Sequence, residues 1–289
     1  MILIVDSGST KTHWCFAKTA TQYELLSTDG INPIIQSADS VQAILFEQLL
    51  PQMVESNLCV SNVSEVHFYG AGCTQYHAPI VKQSLERIFN KANSIEVCSD
   101  MLAAARALCG ESDGIACILG TGANSCLYNG IDIVKQTPAL GYILGDEGSG
   151  AVLGRKFLNA IFKGTLPTEL RQQFCDEYQT SMLDVVDKVY HSDNPNRYLA
   201  SLTKFIIKHI DNSDVEHLVI ENFEEFIIRN LHPYGTEHHI INAVGSIAYY
   251  FKIQLQKAAQ NCGYIVGKIE QSPIYSLLKF HVSKGLSPE

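Results

Sequence analysis

The sequence predicts an α/β protein built from two lobes that arose by internal duplication. Two observations lead to this prediction. Short β-branched and apolar runs alternate with amphipathic, helix-like segments along most of the 289 residues. In addition, the opening pattern of strand, polar glycine-containing loop and strand returns near residue 115, so the repeated unit is a supersecondary structure and not a short motif.

The first half opens with two short strands that flank a polar loop. Residues 2–5 are apolar and β-branched, residues 6–11 contain turn residues, and residues 12–17 return to a strand pattern, which predicts a hairpin. The other segments of this half have strand composition or apolar residues at helical spacing. They are strands at 23–27, 66–69 and 95–98, and helices at 41–54, 80–89 and 101–108.

The second half repeats the hairpin and then becomes mostly helical. Strand-like residues 115–119 and 126–129 enclose a polar turn of residues 120–125. We overlay Gly120-Thr121-Gly122-Ala123-Asn124 of this turn on Asp6-Ser7-Gly8-Ser9-Thr10. The later segments are helices at 151–162, 199–211, 215–231, 247–260 and 273–281, and a strand at 240–244. We expect a first lobe of residues 1–110, joined by the C-terminal helix 273–284, and a second lobe of residues 111–272, because residues 109–114 form a loop cluster.

Composition excludes several classes of function. The net charge of -9 argues against a nucleic-acid binder, which needs clustered Lys and Arg. No apolar run is long enough for a membrane span, and residues 1–5 are too short an apolar run for a signal peptide. The nine cysteines are scattered, without C-x-x-C or zinc-type spacing. We therefore expect a cytoplasmic protein with reduced thiols.

Both hairpin loops have the composition of phosphate-binding loops. Glycine lets the backbone approach a ligand closely, and consecutive N–H groups form an anion cradle. The hydroxyl donors are Ser9, Thr10, Thr121 and Ser125. Lys11 adds a positive charge, and Asp6 is placed to hold the hydration shell of Mg²⁺. Ordinary turns are the alternative for either loop alone, but the repetition favours phosphate binding.

Acidic residues at other strand and loop ends add candidates for chemistry. Asp100 follows the strand at 95–98 and opens a helix, where it is either a base for a sugar hydroxyl or a helix N-cap. The segment 141–150 has four glycines with Asp146 and Glu147, whose carboxylates are suited to sugar hydroxyls, with a plain flexible loop or a capping box as the alternative. Gly245-Ser246 forms a strand–Gly–helix junction of the kind that packs against adenine, or a simple turn.

Five motifs together resemble one family. They are Asp6-x-Gly-x-Thr-Lys, Ser99-Asp100-x-x-Ala-Ala, Gly120-Thr121-Gly122-x-Asn124-Ser125, Gly141-x-x-x-Gly-Asp-Glu-Gly-Ser and Ser272-Pro273-Ile274. In this order, from Met1 to about His281, the chain resembles the BadF/BadG/BcrA/BcrD-type ATPases and, within them, the N-acetylglucosamine kinase branch. The resemblance implies a duplicated actin-like/ribonuclease H-like ATPase fold with an interlobe cleft. It also implies phosphorylation of an amino sugar at its 6-hydroxyl, with ATP and Mg²⁺.

The resemblance also implies roles for individual residues. The family positions that bind the ATP phosphates and Mg²⁺ correspond here to Asp6 (Mg²⁺ through water), Gly8, Ser9, Thr10, Lys11, Gly120, Thr121 and Gly122. Asp100 matches the general base, and Gly245 and Ser246 match the adenosine segment. The candidate sugar-binding residues are Gly30, Asn32, Thr121, Gly141, Asp146 and Glu147.

The chain departs from the family in four places. Ser7 and Ser9 stand where relatives often have glycine, and the adenosine segment has one glycine, not a pair. Leu140-Gly141-Tyr142-Ile143 replaces the Gly-Trp-Gly-His stretch of animal N-acetylglucosamine kinases, so recognition of the acetyl group is not carried over. Cysteine ligands for an iron–sulfur cluster have no counterpart, which argues against the electron-transfer branch.

Several alternatives stay open from the sequence. An activator-type ATPase that drives a partner protein and a non-catalytic sugar sensor are the rival functions. Glucosamine, N-acetylmuramate and other hexose derivatives are alternatives to N-acetylglucosamine. A small-molecule sugar is the expected partner, without nucleic acid or membrane, and a homodimer through the helical second lobe is compatible with the sequence.

Overall fold

The computed structural model describes residues 1–8, 10–235 and 237–285, with side chains placed through residue 282. The chain divides into two compact units. Unit 1 contains Met1–Glu111 and the segment that starts at Pro273, and unit 2 contains Ser112–Ser272. Unit 1 is therefore assembled from two separate stretches of the chain. No helix among the described residues is long and apolar enough to cross a membrane.

Unit 1 is built on a mixed five-stranded sheet with the order β3-β2-β1-β4-β5. Its strands are β1 (Ile2–Ser7), β2 (Lys11–Ala17), β3 (Tyr23–Asp29), β4 (Glu65–Gly70) and β5 (Ser94–Ser99). The strands β1, β2 and β3 pair antiparallel, whereas β1, β4 and β5 run parallel. Parallel pairing needs crossover connections, and the helices supply them.

Helices cover both faces of this sheet. They are α1 (Ala38–Ala43), a π-helical turn (Ile44–Leu49), α2 (Leu50–Glu55), a 3-10 turn (Val60–Asn62), α3 (Ala78–Ile88), α4 (Asp100–Cys109) and α14 (Ile274–Gly285). Leu3 and Val5 pack in one apolar cluster with α1, α2 and α3, whereas Ile4 packs in another with α4 and α14. A strand buried on both faces is apolar at successive positions, which explains the run at residues 2–5.

Unit 2 has a second mixed five-stranded sheet, with the order β10-β9-β6-β7-β8. Its strands are β6 (Asp113–Leu119), β7 (Ala123–Asn129), β8 (Ile133–Gln136), β9 (Ile240–Val244) and β10 (Ile265–Glu270). Its helical segments are α5 (Gly141–Leu144), α6 (Gly150–Lys163), α7 (Thr168–Tyr178), α8 (Met182–His191), α9 (Pro195–Ser201), α10 (Thr203–Lys208), α11 (Ser213–Phe226), a π-helical turn (Ile227–Leu231), a 3-10 turn (His232–Tyr234), α12 (Ser246–Tyr250) and α13 (Lys252–Asn261).

The two sheets share one topology, which confirms the duplicated α/β fold predicted from the sequence. In each sheet the first three strands of the unit pair antiparallel, and the first, fourth and fifth run parallel. The overlay of the two loops needs a shift of two residues, because β1 ends at Ser7 and β6 ends at Leu119. Gly8, not Asp6, is therefore the position that corresponds to Gly120.

Candidate active site

The register of the unit 1 sheet brings several strand ends to one edge, which we call the unit 1 edge. Ser7 pairs with Gly70, and Gly70 pairs with Ser99, at the carboxyl ends of the parallel strands. On the antiparallel side, Lys11 at the start of β2 pairs with Asp29 at the end of β3. Ligands of open α/β sheets collect at the carboxyl ends of parallel strands, so this edge is the candidate site of unit 1.

Asp100 lies at the unit 1 edge as the first residue of α4. The N-cap of this helix is Ser99, whose hydroxyl accepts a hydrogen bond from the Leu102 N–H at 3.3 Å. The capping role that the sequence left open for Asp100 is thus filled by its neighbour. Burial raises the pKa of Asp100, although hydrogen bonds from the backbone N–H groups of Met101 and Asp100 itself oppose this shift.

Asp6, one residue before the end of β1, is the second carboxylate of this edge. Burial, followed by the charge of the neighbouring Asp100, raises the pKa of Asp6 to about 7. The Cys73 thiol also senses Asp100, because burial and then this carboxylate raise the pKa of Cys73 to about 12. Two like charges in one enclosed site favour either a shared proton or a bound cation.

The carboxylate pair has the donor chemistry that suits Mg²⁺. This ion prefers oxygen ligands, takes one or two carboxylates and keeps several waters. Within the described ranges, no group of three or more His, Cys, Asp or Glu side chains is arranged to hold a metal ion. The residues present therefore fit a hydrated cation that also binds substrate oxygens, and not a dedicated all-protein metal site.

Ser7 joins the unit 1 edge to the segment that carries Gly30 and Asn32. Its buried hydroxyl accepts a hydrogen bond from the Ile31 N–H at 3.0 Å and lies 2.7 Å from the Thr12 hydroxyl. These contacts fix residues 30–32 beside β1. Sequence reasoning treated Ser7 only as a departure from glycine, since its partner is 24 positions away and no local pattern connects them.

Gly30 and Asn32 are held next to the loop that follows β4. The Gly30 carbonyl accepts a hydrogen bond from Gln36 Nε2 at 2.9 Å, and the Asn32 N–H donates to Gln36 Oε1 at 2.7 Å. Gly72 has a φ of +75°, and a Cβ at this position would clash with Asn32 Oδ1, so glycine is required for the approach. The two predicted sugar-binding residues thus reach the same edge as the carboxylates.

The first predicted phosphate loop is a tight turn between β1 and β2. The Gly8 N–H donates to the Lys11 carbonyl at 3.0 Å and so closes the turn. Thr10 and Lys11 are exposed. Burial, together with the charge of Lys11, lowers the pKa of His13. Ser9, predicted here as a phosphate ligand, lies outside the described residues.

The second predicted phosphate loop, Gly120 to Gly122, is attached to the start of α6. The Gly120 N–H donates to the Gly122 carbonyl at 3.0 Å. The carbonyls of Gly120 and Thr121 accept hydrogen bonds from the Gly150 and Ala151 N–H groups at 2.8 and 3.1 Å. The segment 141–150 and this loop were separate candidates in the sequence, and the structure brings them together.

Asp146 lies against the second loop in a strained backbone conformation. Its φ is +55°, a region that residues other than glycine seldom adopt. Its carboxylate accepts a hydrogen bond from the Ala123 N–H, and a Cβ added to Gly122 would lie 3.0 Å from Asp146 Oδ2. Burial, and then the charge of Glu147, raises the pKa of Asp146.

Glu147 and Gly141, two further sugar-binding candidates, have different surroundings. Glu147 accepts hydrogen bonds from Arg229 Nη1 and Asn230 Nδ2, each at 3.4 Å. Its side chain is 16% exposed. Gly141 begins the short helix α5, and a Cβ added there would meet no described atom within 4 Å apart from those of its chain neighbours and of the helix's own backbone. The structure therefore places Asp146, but not Gly141, in contact with the second loop.

Gly245 lies at the base of the second loop. Its φ is +121°, and an added Cβ would clash with the Leu119 carbonyl oxygen. Ser246 is exposed and begins α12, so the predicted adenosine segment and the predicted phosphate loop are adjacent in unit 2. The Ser125 hydroxyl is buried and lies 2.8 Å from the Tyr234 hydroxyl. It is used inside unit 2 and does not supply the hydroxyl donor that the sequence suggested.

Comparison with solved structures gives the family. A candidate N-acetylglucosamine kinase from Porphyromonas gingivalis is 42% identical to this chain, with a TM-score of 0.95 and a match that covers 99% of this chain and 100% of that one. The chain belongs to this family of N-acetylglucosamine kinase-like proteins. No family model matches the sequence.

Two more distant comparisons extend the similarity to named sugar kinases. The N-acetylmuramic acid/N-acetylglucosamine kinase of Clostridium acetobutylicum is 24% identical over 211 residues, which are 71% of this chain and 69% of that protein. A glucokinase of the ROK family from Streptomyces griseus, solved with glucose and AMPPNP, is 12% identical with a TM-score of 0.58, and the match covers 96% of this chain and 97% of the glucokinase. At that identity the likeness shows the fold alone.

Proposed function

We propose that this protein is an ATP-dependent kinase that transfers the γ-phosphoryl group of ATP to the 6-hydroxyl of an amino sugar, with N-acetylglucosamine as the first candidate. The observation that carries this proposal is the pair of carboxylates at the unit 1 edge, Asp6 and Asp100, where Ser99 holds the N-cap position of α4. The sequence and structural similarity to the Porphyromonas gingivalis protein supports an amino sugar as the substrate class. The named substrates of the Clostridium acetobutylicum kinase support it independently.

In this proposal Asp100 is the general base. It accepts the proton of the sugar hydroxyl while the sugar oxygen attacks the γ-phosphorus in line with the leaving oxygen. A base works best when its pKa approaches the operating pH, and burial shifts the pKa of Asp100 in that direction. Mg²⁺, held by Asp6 through water, would neutralise charge on the phosphates. Phosphoryl transfer leaves little covalent chemistry for the protein, so most of the rate acceleration comes from positioning the two substrates.

The remaining proposed roles are divided between the residues of unit 1 and those of unit 2. In unit 1, Gly8, Thr10 and Lys11 contact phosphate, while Gly30 and Asn32 contact the sugar. In unit 2 the second loop contacts phosphate, Gly245 and Ser246 contact adenosine, and Asp146 contacts a sugar hydroxyl. Attachment of the second loop to α6 supports its role, because a preorganised loop stabilises developing charge without rearranging.

We also propose a cytoplasmic location and a homodimer. None of the nine cysteines, all of which lie in the described part of the chain, forms a disulfide, which is the usual state in a reducing compartment. Sedimentation of the purified protein would test the oligomeric state.

The decisive experiment measures ADP release with Mg·ATP across a panel of amino sugars and neutral hexoses, each against a blank without sugar. We expect release that depends on N-acetylglucosamine or a close amino sugar. Phosphorus–proton NMR of the product should place the phosphate on the 6-hydroxyl. Equal release in every well, blank included, would replace the kinase with an ATPase that drives a partner protein.

A further inference from the structure

One helix face contacts three consecutive residues of the loop that carries Asp146. The face belongs to α11 and the π-helical turn that continues it, and we call it the α11 face. Its residues are Asn222, Phe226, Arg229 and Asn230. Counted from Asn222, the other three stand at positions i+4, i+7 and i+8, which is the spacing of one helix face. The residues that they contact are Glu147, Gly148 and Ser149.

Each of the three loop residues is held by a different kind of contact. Asn222 Nδ2 donates to the Ser149 carbonyl at 3.4 Å, inside the buried part of unit 2. Gly148 has a φ of +80°, and a Cβ there would lie 2.7 Å from Phe226 Cβ, so the loop backbone packs directly on the helix. Ser149 in turn caps α6 and accepts from the Val152 N–H at 3.1 Å.

The third contact is an ion pair with an amide beside it. Arg229 Nη1 lies 3.4 Å from Glu147 Oε1, and Asn230 Nδ2 lies 3.4 Å from Glu147 Oε2. The two partners are exposed to different degrees, since 66% of the Arg229 side chain but only 16% of the Glu147 side chain is accessible. Loss of Arg229 would therefore leave an enclosed carboxylate with one hydrogen-bond partner fewer and without its counter-charge.

Asp146 needs this support for two reasons. Its left-handed backbone is unfavourable for a residue with a Cβ, and such a conformation persists only where the surroundings determine it. In addition, Glu147 places a second negative charge next to the Asp146 carboxylate. Arg229 is the cation that pairs with this second charge, so it limits the repulsion that would push the two carboxylates apart.

We propose that Arg229 and Asn230, acting through Glu147, are positioning residues that hold Asp146 in the orientation in which it binds the acceptor sugar. This inference rests on the proposed function and changes the role of one residue. Glu147, expected from the sequence to contact the sugar, instead connects Asp146 to the α11 face. Specificity for the sugar then depends on residues more than 80 positions away in the chain.

The test compares Arg229→Met, Glu147→Gln and the double variant with the wild type. The Michaelis constants for sugar and for ATP are measured separately, together with kcat and the melting temperature. Arg229→Met should raise the Michaelis constant for the sugar at least about fivefold and change that for ATP by less than about twofold. The double variant should be no worse than the poorer single variant, because both changes break one connection.

Two further variants separate positioning from a merely structural role. Arg229→Lys should restore the sugar constant to within about threefold, since only one guanidinium nitrogen contacts Glu147 and an ammonium can replace it. Lys257→Met removes another cation of unit 2, paired with Glu216 at 2.6 Å, and should leave both constants unchanged. A structural role would instead lower the melting temperature and impair both substrates together.

The outcomes are distinguishable from failure of the proposed function. A wild type without sugar-dependent ADP release would refute the kinase itself. An active wild type in which Glu147→Gln weakens sugar binding while Arg229→Met does not would show that Glu147 contacts the sugar directly, and it would overturn the inference. Additive effects in the double variant would overturn it as well.

Discussion

At the scale of single residues, the site depends on how two carboxylates share one enclosed edge. Asp6 and Asp100 each keep only a minority of their surface accessible. Each is harder to ionise because it is buried, and Asp6 also because of its neighbour. A raised pKa makes the deprotonated carboxylate a stronger base toward a substrate hydroxyl. Removal of either carboxylate should therefore change the chemistry of the site, whereas loss of a helix cap lowers only the stability of the helix.

Replacement of Asp100 by Asn should abolish most of the transfer. The amide keeps the shape but cannot accept the hydroxyl proton, so we expect kcat to fall by at least about 10²-fold while ATP affinity stays near normal. Ser99→Ala is the matched control, because it removes the cap, lowers stability by about 1 kcal/mol and leaves the base. Turnover and nucleotide titration measure the two quantities. Retention of most activity in Asp100→Asn would reduce Asp100 to a structural residue.

Replacement of Asp6 by Asn should stabilise the nucleotide-free protein in a pH-dependent way. The folded-state pKa of Asp6 is about 7, above its ordinary value of 3.8, so the native state binds the extra proton between these values and stability falls as pH rises through this window. Asn has no such penalty. The gain of Asp6→Asn over wild type should be larger at pH 8 than at pH 5, by roughly 2–3 kcal/mol.

Thermal melting at the two pH values measures this gain. Asp132→Asn, which removes one exposed negative charge from a turn, is the matched control. An equal gain at both pH values would mean that Asp6 ionises normally in the folded protein.

The sequence singles out some residues of the candidate site and not others, for a physical reason. Asp6, Asp100 and Gly245 stand out because each lies at a strand end or a strand–helix junction, which is a local pattern, and their functional roles stay predictions. Ser7 and Arg229 could not, because their partners are 24 and 82 positions away in sequence. Contacts of this length are created by the fold, and no spacing rule within one element reports them.

At the scale of elements, Gly245 decides how β9 can turn into α12 beside the second loop. Both Gly245 and Gly164 have positive φ, but a Cβ added at Gly245 would clash with the Leu119 backbone. A Cβ added at Gly164 would meet no described atom within 4 Å apart from those of its chain neighbours and local helix backbone. Gly164→Ala should therefore cost only the conformational strain, about 1–2 kcal/mol. Gly245→Ala adds displacement of Leu119 and Gly120 and should cost at least about 3 kcal/mol.

Urea unfolding of both variants, followed by a probe in unit 2, tests this difference. Gly245→Ala should also raise the Michaelis constant for ATP, because the second loop moves, whereas Gly164→Ala should not. Equal free energies of unfolding for the two variants would show that the loop yields to the added carbon without resistance.

The elements themselves were predictable where burial imposes a clear pattern. The strand β1 is apolar at successive positions and was found, whereas β8 and β10 were missed because most of their residues are exposed or half-buried. The predicted helix at 199–211 is divided at Leu202, and that at 247–260 at Phe251. Both residues are buried apolar positions that continue the helical spacing, so periodicity alone does not reveal the break.

At the scale of the whole molecule, the C-terminal helix α14 completes unit 1. Arg106 Nη1 donates to the Tyr69 hydroxyl oxygen at 2.6 Å, and this hydroxyl also forms a hydrogen bond with His281 Nε2 at 2.7 Å. The His281 ring also stacks on His67, with centroids 3.9 Å apart. These contacts connect the last helix to β4 and α4, and α4 begins with Asp100.

Removal of the chain from Pro273 onward should therefore unfold unit 1 and leave unit 2 folded. The lost helix buries four apolar side chains, Ile274, Leu277, Leu278 and Val282. At about 1.5–3 kcal/mol each, they amount to roughly 6–12 kcal/mol, which is comparable with the entire stability of a domain. The core of unit 2 lies within Ser112–Ser272 and loses nothing from its own cluster.

Limited proteolysis with mass mapping measures this outcome, and cleavage should concentrate in residues 1–111 of the shortened chain. Leu277→Ala and Lys279→Ala give a graded comparison in the full chain, because the first side chain is buried and the second is exposed on the same helix. Leu277→Ala should cost about 2–5 kcal/mol, and Lys279→Ala almost nothing. Protection of residues 1–111 after removal of α14 would mean that the N-terminal sheet is stable without its second covering layer, and burial on both faces of β1 would then not be needed for folding.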